Sequence, residues 1–343
     1  MEIRTIGIDL GKTVFHLVGV NARGEVVARK KCSRLQLLRF TSNLGECLIG
    51  MEACGGSHFL GRALREQGHE VRLMPAQYVK PYVKTNKNDY IDAEAIAEAV
   101  TRPTMRFVPI KTEDQLDLQS LHRVRERWVV RRTAVINQIR GLLLERGITI
   151  PKGRRHIEES LPGILEDSDN KLSGALRVLL TELRLEMQYL HRQIEESDNL
   201  ILRIAGELES CQRLVAIPGI GPVIATATIA AIGNGAAFKK GRGFAAWLGV
   251  VPGEHSTGGK QKLTGTSRRG NKYLRKLFVQ GAHTVLQQRT KQVSGLSAWL
   301  AQLTTRKRIQ VAAVALANKM ARMVWAVLSK GEAYRAPLLQ QTA

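Results

Sequence analysis

Hydrophobic positions in the first hundred residues alternate between short apolar runs and helix-like spacing. The apolar runs predict five strands, at residues 3–9, 14–20, 25–31, 47–51 and 70–74. Leucine, isoleucine and alanine three or four residues apart predict three helices, at residues 34–44, 57–67 and 89–100, and Ser57 is the expected cap of the second helix. Hairpin-linked strands followed by strand–helix alternation predict an α/β domain with a mixed sheet.

The middle of the chain has long helical periodicity in a charge-rich sequence. Apolar residues recur every three or four positions from about 113 to 146 and from 172 to 208, which predicts an antiparallel helical arm or coiled-coil stalk. Residues 151–170 contain Pro151, Gly153, Pro162 and Gly163, and this composition predicts a loop-rich break between the long helices.

The last third is glycine-rich, basic and mostly helical, and it ends in an apolar helix at 311–328. The uncharged stretch 214–238 is long enough to cross a bilayer. Its prolines and glycines interrupt it, so we predict two helices in a core and no membrane partner. Residues after 331 are expected to be disordered. The sequence is therefore divided into four parts, 1–112, 113–208, 209–330 and 331–343.

The net charge of the chain indicates what kind of partner it binds. The 343 residues include 52 Lys and Arg against 30 Asp and Glu, a net charge of +22. An excess of this size predicts a polyanionic partner, and nucleic acid is the leading class. The four cysteines form no CxxC pair, which argues against a zinc site or a disulfide framework and indicates reduced thiols in the cytosol.

Four carboxylates stand at positions where catalytic acids can converge. Asp9 and Glu52 end two predicted strands, and Asp89 and Asp92 are three residues apart on one helix. Clustered carboxylates repel one another unless cations lie between them, and hard oxygen ligands suit Mg²⁺ or Mn²⁺. Two such ions would polarise a phosphodiester and stabilise its attacking and leaving oxygens.

Two other interpretations of these residues were weighed. Taken singly, an acid at a strand end or helix start is more often a cap or a solvated turn. Residues 7–13 also resemble the first phosphate loop of the actin, sugar-kinase and chaperone ATPase superfold. That fold requires a second α/β lobe with a second phosphate loop, whereas residues 113–210 are predicted helical, so we rejected this second interpretation.

Two motifs in the last third are compatible with chemistry or with plain structure. Residues 217–222, Ile-Pro-Gly-Ile-Gly-Pro, fit a helix-hairpin-helix that offers backbone N–H groups to a phosphate, and they fit a tight helical turn equally well. In the glycine-rich loop 248–260, Ser256 follows His255 and precedes Lys260. Such a serine can be an activated nucleophile, although glycine-, serine- and threonine-rich loops are usually only loops.

Basic residues cluster after this loop and on the predicted arm. A solvated face is the common explanation for such clusters, but the net charge favours contacts with a phosphate backbone. His16, His58, His69 and His122 have no ligand spacing and are predicted to be structural. The predicted nucleic-acid contacts are Lys84, Lys87, Arg123, Arg127, Arg131, Gly219, Gly221, Lys260, Arg268, Arg269 and Lys272.

The order of these motifs resembles one family over nearly the whole chain. Acids in the pattern Asp, Glu, Asp-x-x-Asp come first, then the helical arm, Pro-Gly-Ile-Gly-Pro, the His-Ser-Thr-Gly-Gly-Lys loop and residues 267–271, Ser-Arg-Arg-Gly-Asn. This order is similar to that of DEDD-type insertion-sequence transposases related to the Piv DNA invertase, which are bridge-RNA-guided recombinases. The nearer branch is the one that inserts at particular repeated or structured targets.

The resemblance implies more than the residues alone do. It implies a Holliday-junction-resolvase fold, related to ribonuclease H, in which Asp9, Glu52, Asp89 and Asp92 bind Mg²⁺, with Mn²⁺ as an alternative. It implies a C-terminal serine that joins covalently to DNA, at Ser256 by its place in the loop, with Thr257 as the competing position. Ser267 would contact the backbone. The implied partners are donor and target DNA and a noncoding guide RNA. Because Ser256 and the carboxylates lie far apart in the sequence, we also expect active sites completed across subunits, in a dimer or dimer of dimers.

Two rival functions remain at this point. One is a metal-dependent nuclease or junction resolvase in which water attacks and the serine is inert. The other is a nucleic-acid-binding scaffold with a degenerate resolvase fold. A covalent protein–DNA adduct separates the recombinase from both, and loss of activity on removal of Asp9 separates either enzyme from the scaffold.

Overall fold

The computed structural model describes residues 2–84, 88–288 and 295–335. The chain forms two compact units, Met1–Glu113 and Asp114–Ala343, which are described separately below. The four-part division expected from the sequence stays a prediction. Residues 331–335 have no regular structure, and the rest of the predicted tail lies outside the described residues.

A five-stranded mixed sheet forms the centre of the first unit. Its order is β3-β2-β1-β4-β5, antiparallel from β3 to β1 and parallel from β1 to β5, as the hairpins and strand–helix alternation predicted. The strands are β1 (Thr5–Leu10), β2 (Phe15–Val20), β3 (Val26–Cys32), β4 (Leu48–Glu52) and β5 (Glu70–Met74).

Four helices accompany the sheet, and three lie where the spacing predicted them. They are α1 (Arg34–Ser42), α2 (Ser57–Glu66), the short α3 (Ala76–Val79) and α4 (Asp89–Val100), with a 3-10 turn at Lys80–Tyr82. The cap expected at Ser57 was wrong, because Gly56 in the left-handed region occupies that position. The Ser57 hydroxyl instead donates to the Cys54 carbonyl at 2.8 Å.

The two sheet faces differ in side-chain size. Ile6 and Ile8 are fully buried in an apolar cluster with α1 and α2. The opposite face is opened by glycines so that α4 can lie directly on the strands. A Cβ on Gly7 would lie 2.0 Å from the Ala93 carbonyl oxygen, and one on Gly50 would lie 2.8 Å from Val100 Cβ. These close approaches hold α4 over the sheet.

The second unit begins with two long helices, α5 (Glu113–Leu144) and α7 (Gly174–Glu207). Arg125 pairs with Asp198, and Arg131 pairs with Glu186 at 2.8 Å. Residue numbers therefore rise along α5 while those of their partners fall along α7, so the two helices are antiparallel. Coiled-coil packing of this pair stays a prediction.

The loop-rich break expected at 151–170 was wrong. A helix, α6 (Arg154–Glu166), runs through Pro162. Ile157 and Leu161 lie one turn apart and are completely buried in the cluster that α5 and α7 form. Burying two large aliphatic side chains contributes about 3–6 kcal/mol, which offsets the roughly 3 kcal/mol cost of an interior proline.

The last part of the chain packs around one central helix, α13 (Ile309–Lys330). This helix is long and apolar enough to cross a membrane by length and composition, but half of its most apolar window is buried within the protein. The uncharged stretch 214–238 contains the last two residues of one helix, a turn and a whole second helix, so a helix–turn–helix arrangement is present, but its first helix lies mostly before the stretch. The remaining elements are α8 (Glu209–Val215), α9 (Pro222–Ile232), α10 (Gly241–Leu248), β6 (Pro252–Glu254), β7 (Leu263–Thr266), α11 (Lys272–Gln288) and α12 (Gly295–Arg306).

A buried histidine joins α5, α9 and α11. His122 is 3% exposed, and its Nδ1 lies 3.1 Å from the Tyr273 hydroxyl and its Nε2 3.0 Å from Thr226 Oγ1. Thr226 itself donates to the Pro222 carbonyl, so neutral His122 donates through Nε2 and accepts through Nδ1. Burial, followed by the charge of Arg125, lowers the pKa of His122 to about 4.

This shift predicts a loss of stability in mild acid. Between the unfolded pKa near 6.5 and the folded pKa of about 4, the unfolded chain takes up the proton and the folded chain does not. His122 should therefore lower the free energy of unfolding by about 3 kcal/mol as the pH falls from 7 to 4. Denaturant titrations at several pH values should show that slope for the wild type and for the exposed His156→Gln control. The same slope in His122→Gln would contradict the assignment.

Candidate functional site

The acids of the first unit converge at one end of α4. Asp9 is two residues beyond Gly7 on β1 and therefore projects from the same face, toward α4. Glu52 is likewise two residues beyond Gly50 on β4. Asp9 directly follows Ile8, and Glu52 directly follows Met51. Ile8 and Met51 lie opposite each other on the neighbouring parallel strands β1 and β4. Strand parity thus puts the two strand-end acids on the side that α4 covers.

The first turn of α4 supplies the other two acids. Asn88 provides the side-chain cap, accepting from the Tyr90 N–H at 3.0 Å, so Asp89 and Asp92 are not needed as caps. Asp9, Glu52 and Asp92 are half-buried, and Asp89 is exposed. The cap interpretation of the helix-start acids is therefore the weaker one.

A histidine that the sequence analysis assigned to structure lies in this cluster. His16 is the cross-strand partner of Asp9, and its Nδ1 is 3.4 Å from Asp89 Oδ2. One ligand atom each from Asp9, His16 and Asp89 lies within 4.8 Å of the others. The Tyr90 ring meets His16 edge-on at a centroid distance of 5.0 Å.

The electrostatics of the cluster indicate excess negative charge. The pKa of Asp9 is raised by burial and then by the charges of Asp92 and Asp89, while His16 opposes the shift. Burial followed by Glu52 and Asp9 also raises the pKa of the neighbouring Cys54 thiol. Glu52 and Asp9 both raise the pKa of Cys54, and Asp89 and Asp92 both raise the pKa of Asp9. The pKa shifts therefore link Asp9 directly to Asp89 and Asp92, and link it to Glu52 only through Cys54.

Two lysines were predicted to contact nucleic acid beside the acids, and the structure describes one of them. Lys84 is exposed and pairs with Glu98 on α4 at 2.8 Å, so a phosphate would have to compete with that carboxylate. Lys87 lies outside the described residues.

Ser256 is displayed on an exposed hairpin of the second unit. Strands β6 and β7 are antiparallel, and the sequence analysis expected only a loop here. The Ser256 hydroxyl donates to Glu254 Oε1 at 2.5 Å and accepts from the Lys262 backbone N–H at 3.3 Å. Gln261 Nε2 lies 3.4 Å from the same glutamate oxygen. The Ser256 hydroxyl is therefore hydrogen-bonded to a carboxylate on the same hairpin.

The hairpin tip is a tight turn over Thr257, Gly258, Gly259 and Lys260. Both glycines have positive φ, 57° and 74°, and the Lys260 N–H donates to the Thr257 carbonyl at 3.1 Å. This geometry needs residues that tolerate positive φ at both central positions. Thr257 is at the first corner, next to Ser256, and Lys260 is exposed at the fourth position.

The segment 267–271 is fixed against α10 by glycine contacts. A Cβ on Gly270 would lie 1.6 Å from the Trp247 carbonyl oxygen. Arg275 donates to the Arg269 carbonyl at 2.8 Å, which holds the segment to the start of α11. Arg268, at a positive φ of 53°, is exposed, as are Arg269 and Lys272. Ser267 Oγ is buried and makes no hydrogen bond.

The arm arginines serve structure as well as charge. Arg127 and Arg131 lie over the Trp128 ring at 5.5 and 5.8 Å from its centroid. Arg131 also pairs with Glu186, while Arg123 is exposed. Part of the predicted basic stripe therefore fastens α5 to α7.

The turn between α8 and α9 has a packing reason for its first glycine. Gly219 has φ of 83°, and a Cβ there would lie 2.8 Å from the Gly281 carbonyl oxygen on α11. Gly221 precedes α9 and has open space around its Cβ position. Close packing accounts for Gly219, and a phosphate contact at either glycine stays a prediction.

Comparisons with known proteins agree with this arrangement of motifs. A transposase model named for the DEDD domain of IS110 matches residues 6–147, and a model of the IS116/IS110/IS902 transposase family matches residues 211–296. A probable family 20 transposase of Pseudomonas aeruginosa is 45% identical over 98% of this chain and 99% of its own length. The chain belongs to the IS110/IS116 family of insertion-sequence transposases.

Two further relatives support this family membership. The transposase for insertion sequence element IS1328 of Yersinia enterocolitica is 42% identical over 97% of this chain and 99% of its own length. The transposase for IS1111A of Coxiella burnetii is 39% identical over 97% of this chain and 92% of its own length. Because the members of this family are transposases, the chain is a DNA-cutting enzyme, and the rival function of a non-enzymatic scaffold is excluded. The DEDD domain also indicates dependence on a divalent metal ion.

Two residues of the site were missed from the sequence. His16 becomes visible once the β1–β2 register places it opposite Asp9. Glu254 becomes visible only when the hairpin turns its carboxylate toward Ser256. The hairpin signal was the Gly258-Gly259 pair flanked by polar residues, which the sequence analysis interpreted as a loop.

Proposed function

We propose that this transposase cuts and rejoins DNA with Ser256 as a covalent nucleophile and Asp9, Glu52, Asp89 and Asp92 as metal ligands. The observation that carries the proposal is the hydrogen bond from the Ser256 hydroxyl to Glu254 at 2.5 Å. A serine hydroxyl that donates to a carboxylate has a candidate general base within hydrogen-bond distance, which supports a role as nucleophile. The carboxylate cluster of the first unit supplies the complementary chemistry.

The donor set of that cluster fits a divalent ion. Its carboxylate oxygens are hard ligands suited to Mg²⁺ or Mn²⁺, and the nearby imidazole of His16 favours Mn²⁺ somewhat more. Burial is the main cause of the raised pKa of Asp9, and the charges of Asp92 and Asp89 add to it; a cation would balance that added negative charge. When bound, the metal would polarise the phosphodiester and lower the cost of charge on its oxygens. A resolvase-like role for this sheet accords with these acids at its edge.

In the proposed step the Ser256 oxygen attacks phosphorus and its proton passes to Glu254. A serine–phosphorus bond forms, the bond from phosphorus to the departing nucleotide oxygen breaks, and that oxygen takes a proton from water. Rejoining is the reverse attack by a nucleotide hydroxyl on the phosphoserine. That hydroxyl gives its proton to the hydroxide left by the first step, and Glu254 returns its proton to the Ser256 oxygen. The number of phosphoester bonds is therefore conserved through the reaction.

Glu254 is the residue that this step predicts to matter beyond the known motifs. Glu254→Gln keeps the size of the side chain and removes the base, so adduct formation should slow by about a hundredfold. Glu254→Asp should recover part of that rate because it restores a carboxylate. The matched control is Gln261→Ala, which removes the other side chain near the same oxygen and should change the rate less than fivefold. Quenched-flow adduct assays measure all three, and an unaltered rate in Glu254→Gln would refute the role.

A guide RNA and assembly across subunits are further parts of the proposal. The net charge of +22 and the separate basic segments on α5, the β6–β7 hairpin and α11 can accommodate more than one nucleic-acid strand. Ser256 and the carboxylates lie in separate compact units, which suits a dimer or dimer of dimers that shares sites. Mixing Asp9→Asn and Ser256→Ala proteins should then restore strand transfer. An active monomer in gel filtration with RNA and DNA would contradict sharing.

A metal-dependent nuclease without a covalent step is the second candidate function. It is favoured by the convergence of Asp9, His16 and Asp89 within the first unit, since a metal held there needs no serine to activate water. In this case Ser256→Ala would cut DNA as the wild type does.

One assay separates the two functions. Purified protein is incubated with Mg²⁺, DNA carrying the element's junction and RNA transcribed from the element's flank. Products are separated under denaturing conditions. The recombinase predicts a DNA band shifted by covalent protein in the wild type and Thr257→Val, and none in Ser256→Ala. Free cleavage products in all three proteins would establish the nuclease.

A further inference from the structure

A groove of about 1260 Å³ lies in the second unit between α13 and the base of the β6–β7 hairpin. Pro252 and Thr264–Thr266 of the hairpin form one side, and Val311, Val314 and Met323 of α13 form an apolar floor.

The polar part of the groove is positively charged. Lys240, Arg242, Lys319 and Arg322 line it, and none of the described residues that line it is acidic. Burial and then the charge of Arg322 lower the pKa of Lys319. Cations held together without an opposing carboxylate create a site for an anion.

An aromatic side chain stands beside these cations. Trp299 of α12 lines the groove, and Lys319 Nζ lies 4.5 Å from the centroid of its ring. Aromatic faces next to lysine and arginine are how proteins hold unstacked nucleotides, with the base on the ring and the phosphate on the cations. A protein helix would use the apolar floor and leave the four positive charges without partners.

We propose that this groove binds an unpaired nucleotide of the DNA strand that Ser256 attacks, with Trp299 stacking on the base and Lys319 and Arg322 contacting phosphate. The identity of the strand rests on the proposed function, because the groove shares the β6–β7 hairpin with Ser256. The hairpin base forms its wall, and the hairpin tip carries the serine. One short element thus connects the nucleotide site to the nucleophile.

The test measures binding in the absence of catalysis. Full-length Ser256→Ala protein without divalent metal is titrated with a fluorescent single-stranded DNA oligonucleotide, and anisotropy gives Kd at several salt concentrations. Trp299→Ala should raise Kd about tenfold with little change in salt dependence, and Trp299→Phe should restore most of the affinity. Lys319→Gln should reduce the slope of log Kd against log salt by about 0.7 for one lost phosphate contact.

Lys330→Gln is the matched control, since Lys330 is exposed on the same helix as Lys319 and outside the groove. Equal Kd values and slopes for Lys319→Gln and Lys330→Gln, in proteins of equal unfolding temperature, would overturn the proposal. The proposal would also be overturned if Trp299→Ala and Lys319→Gln weakened the binding of a single-stranded RNA and left the binding of single-stranded DNA unaltered, because the groove would then hold RNA. Failure of the wild type to form an adduct would remove the proposed function and leave this binding result intact.

Discussion

An Asp9→Asn variant is expected to lose DNA cleavage by about a thousandfold or more while remaining folded. Asparagine keeps the shape of the side chain and removes the charge that the cluster needs to hold a divalent ion, and loss of several kcal/mol of metal-assisted stabilisation corresponds to that factor. The stability of the variant, in contrast, should not fall. Burial and the charges of Asp92 and Asp89 disfavour ionised Asp9, so its removal should leave the metal-free unfolding temperature unaltered or higher.

Two measurements check this prediction together. Cleavage is assayed with Mg²⁺, and thermal unfolding is followed with and without Mg²⁺, which stabilises only a protein that binds it when folded. Wild type should be stabilised by Mg²⁺ and Asp9→Asn should not. Glu66→Gln, at an exposed carboxylate on α2, is the control and should behave as wild type. Normal cleavage by Asp9→Asn would exclude Asp9 from the site.

The second large effect is expected at a residue with no chemistry of its own. Gly7→Ala introduces a Cβ that would lie 2.0 Å from the Ala93 carbonyl oxygen and 2.5 Å from the Ala97 nitrogen. Both atoms are backbone of α4, so the helix must move away from the sheet, at a cost of about 3 kcal/mol or more. Because α4 carries Asp89 and Asp92, the shift also separates them from Asp9. Cleavage should fall even at temperatures where the variant is folded.

Gly45→Ala is the control for this substitution. Gly45 lies in the same unit, has no positive φ and has no atoms within 4 Å of the added Cβ. Its unfolding temperature and cleavage rate should match those of the wild type. If Gly7→Ala matched Gly45→Ala in both measurements, close packing of α4 on the sheet would not be what positions the acids.

The N-terminal sheet was predictable because its signals are local. Apolar runs, hairpin-linked strands and the strand–helix alternation predicted all five strands and the mixed sheet. The places of the four acids on these elements were predictable for a related reason. A residue at the end of a strand and a pair three apart on one helical turn have nearly fixed positions once the elements are known.

What could not be predicted depends on contacts between distant residues. The helix at Arg154–Glu166 forms despite Pro162 because Ile157 and Leu161 are buried by α5 and α7, two helices outside the segment itself. His16 enters the site only through strand register, and Glu254 only through the hairpin. Local spacing contains none of this information.

The arginines of α5 show that a count of charges in the sequence does not tell which of them are free to bind a phosphate. Arg123, Arg127 and Arg131 form one stripe by spacing, yet Arg131 is paired with Glu186 and stacked on Trp128 together with Arg127. A basic stripe in the sequence therefore overstates the charge available to a phosphate backbone. The groove beside α13 was not apparent as a cluster, because its four cations come from α10, the residue before it and the middle of α13.

The account depends most on whether DNA becomes bonded to Ser256. Wild-type protein is stopped during the reaction with Mg²⁺, RNA and junction DNA, digested with nuclease and protease, and analysed by mass spectrometry. The account predicts one nucleotide-modified peptide, with the phosphate on Ser256. Efficient cleavage with no modified peptide, or with the nucleotide on Thr257 or any other residue, would contradict it.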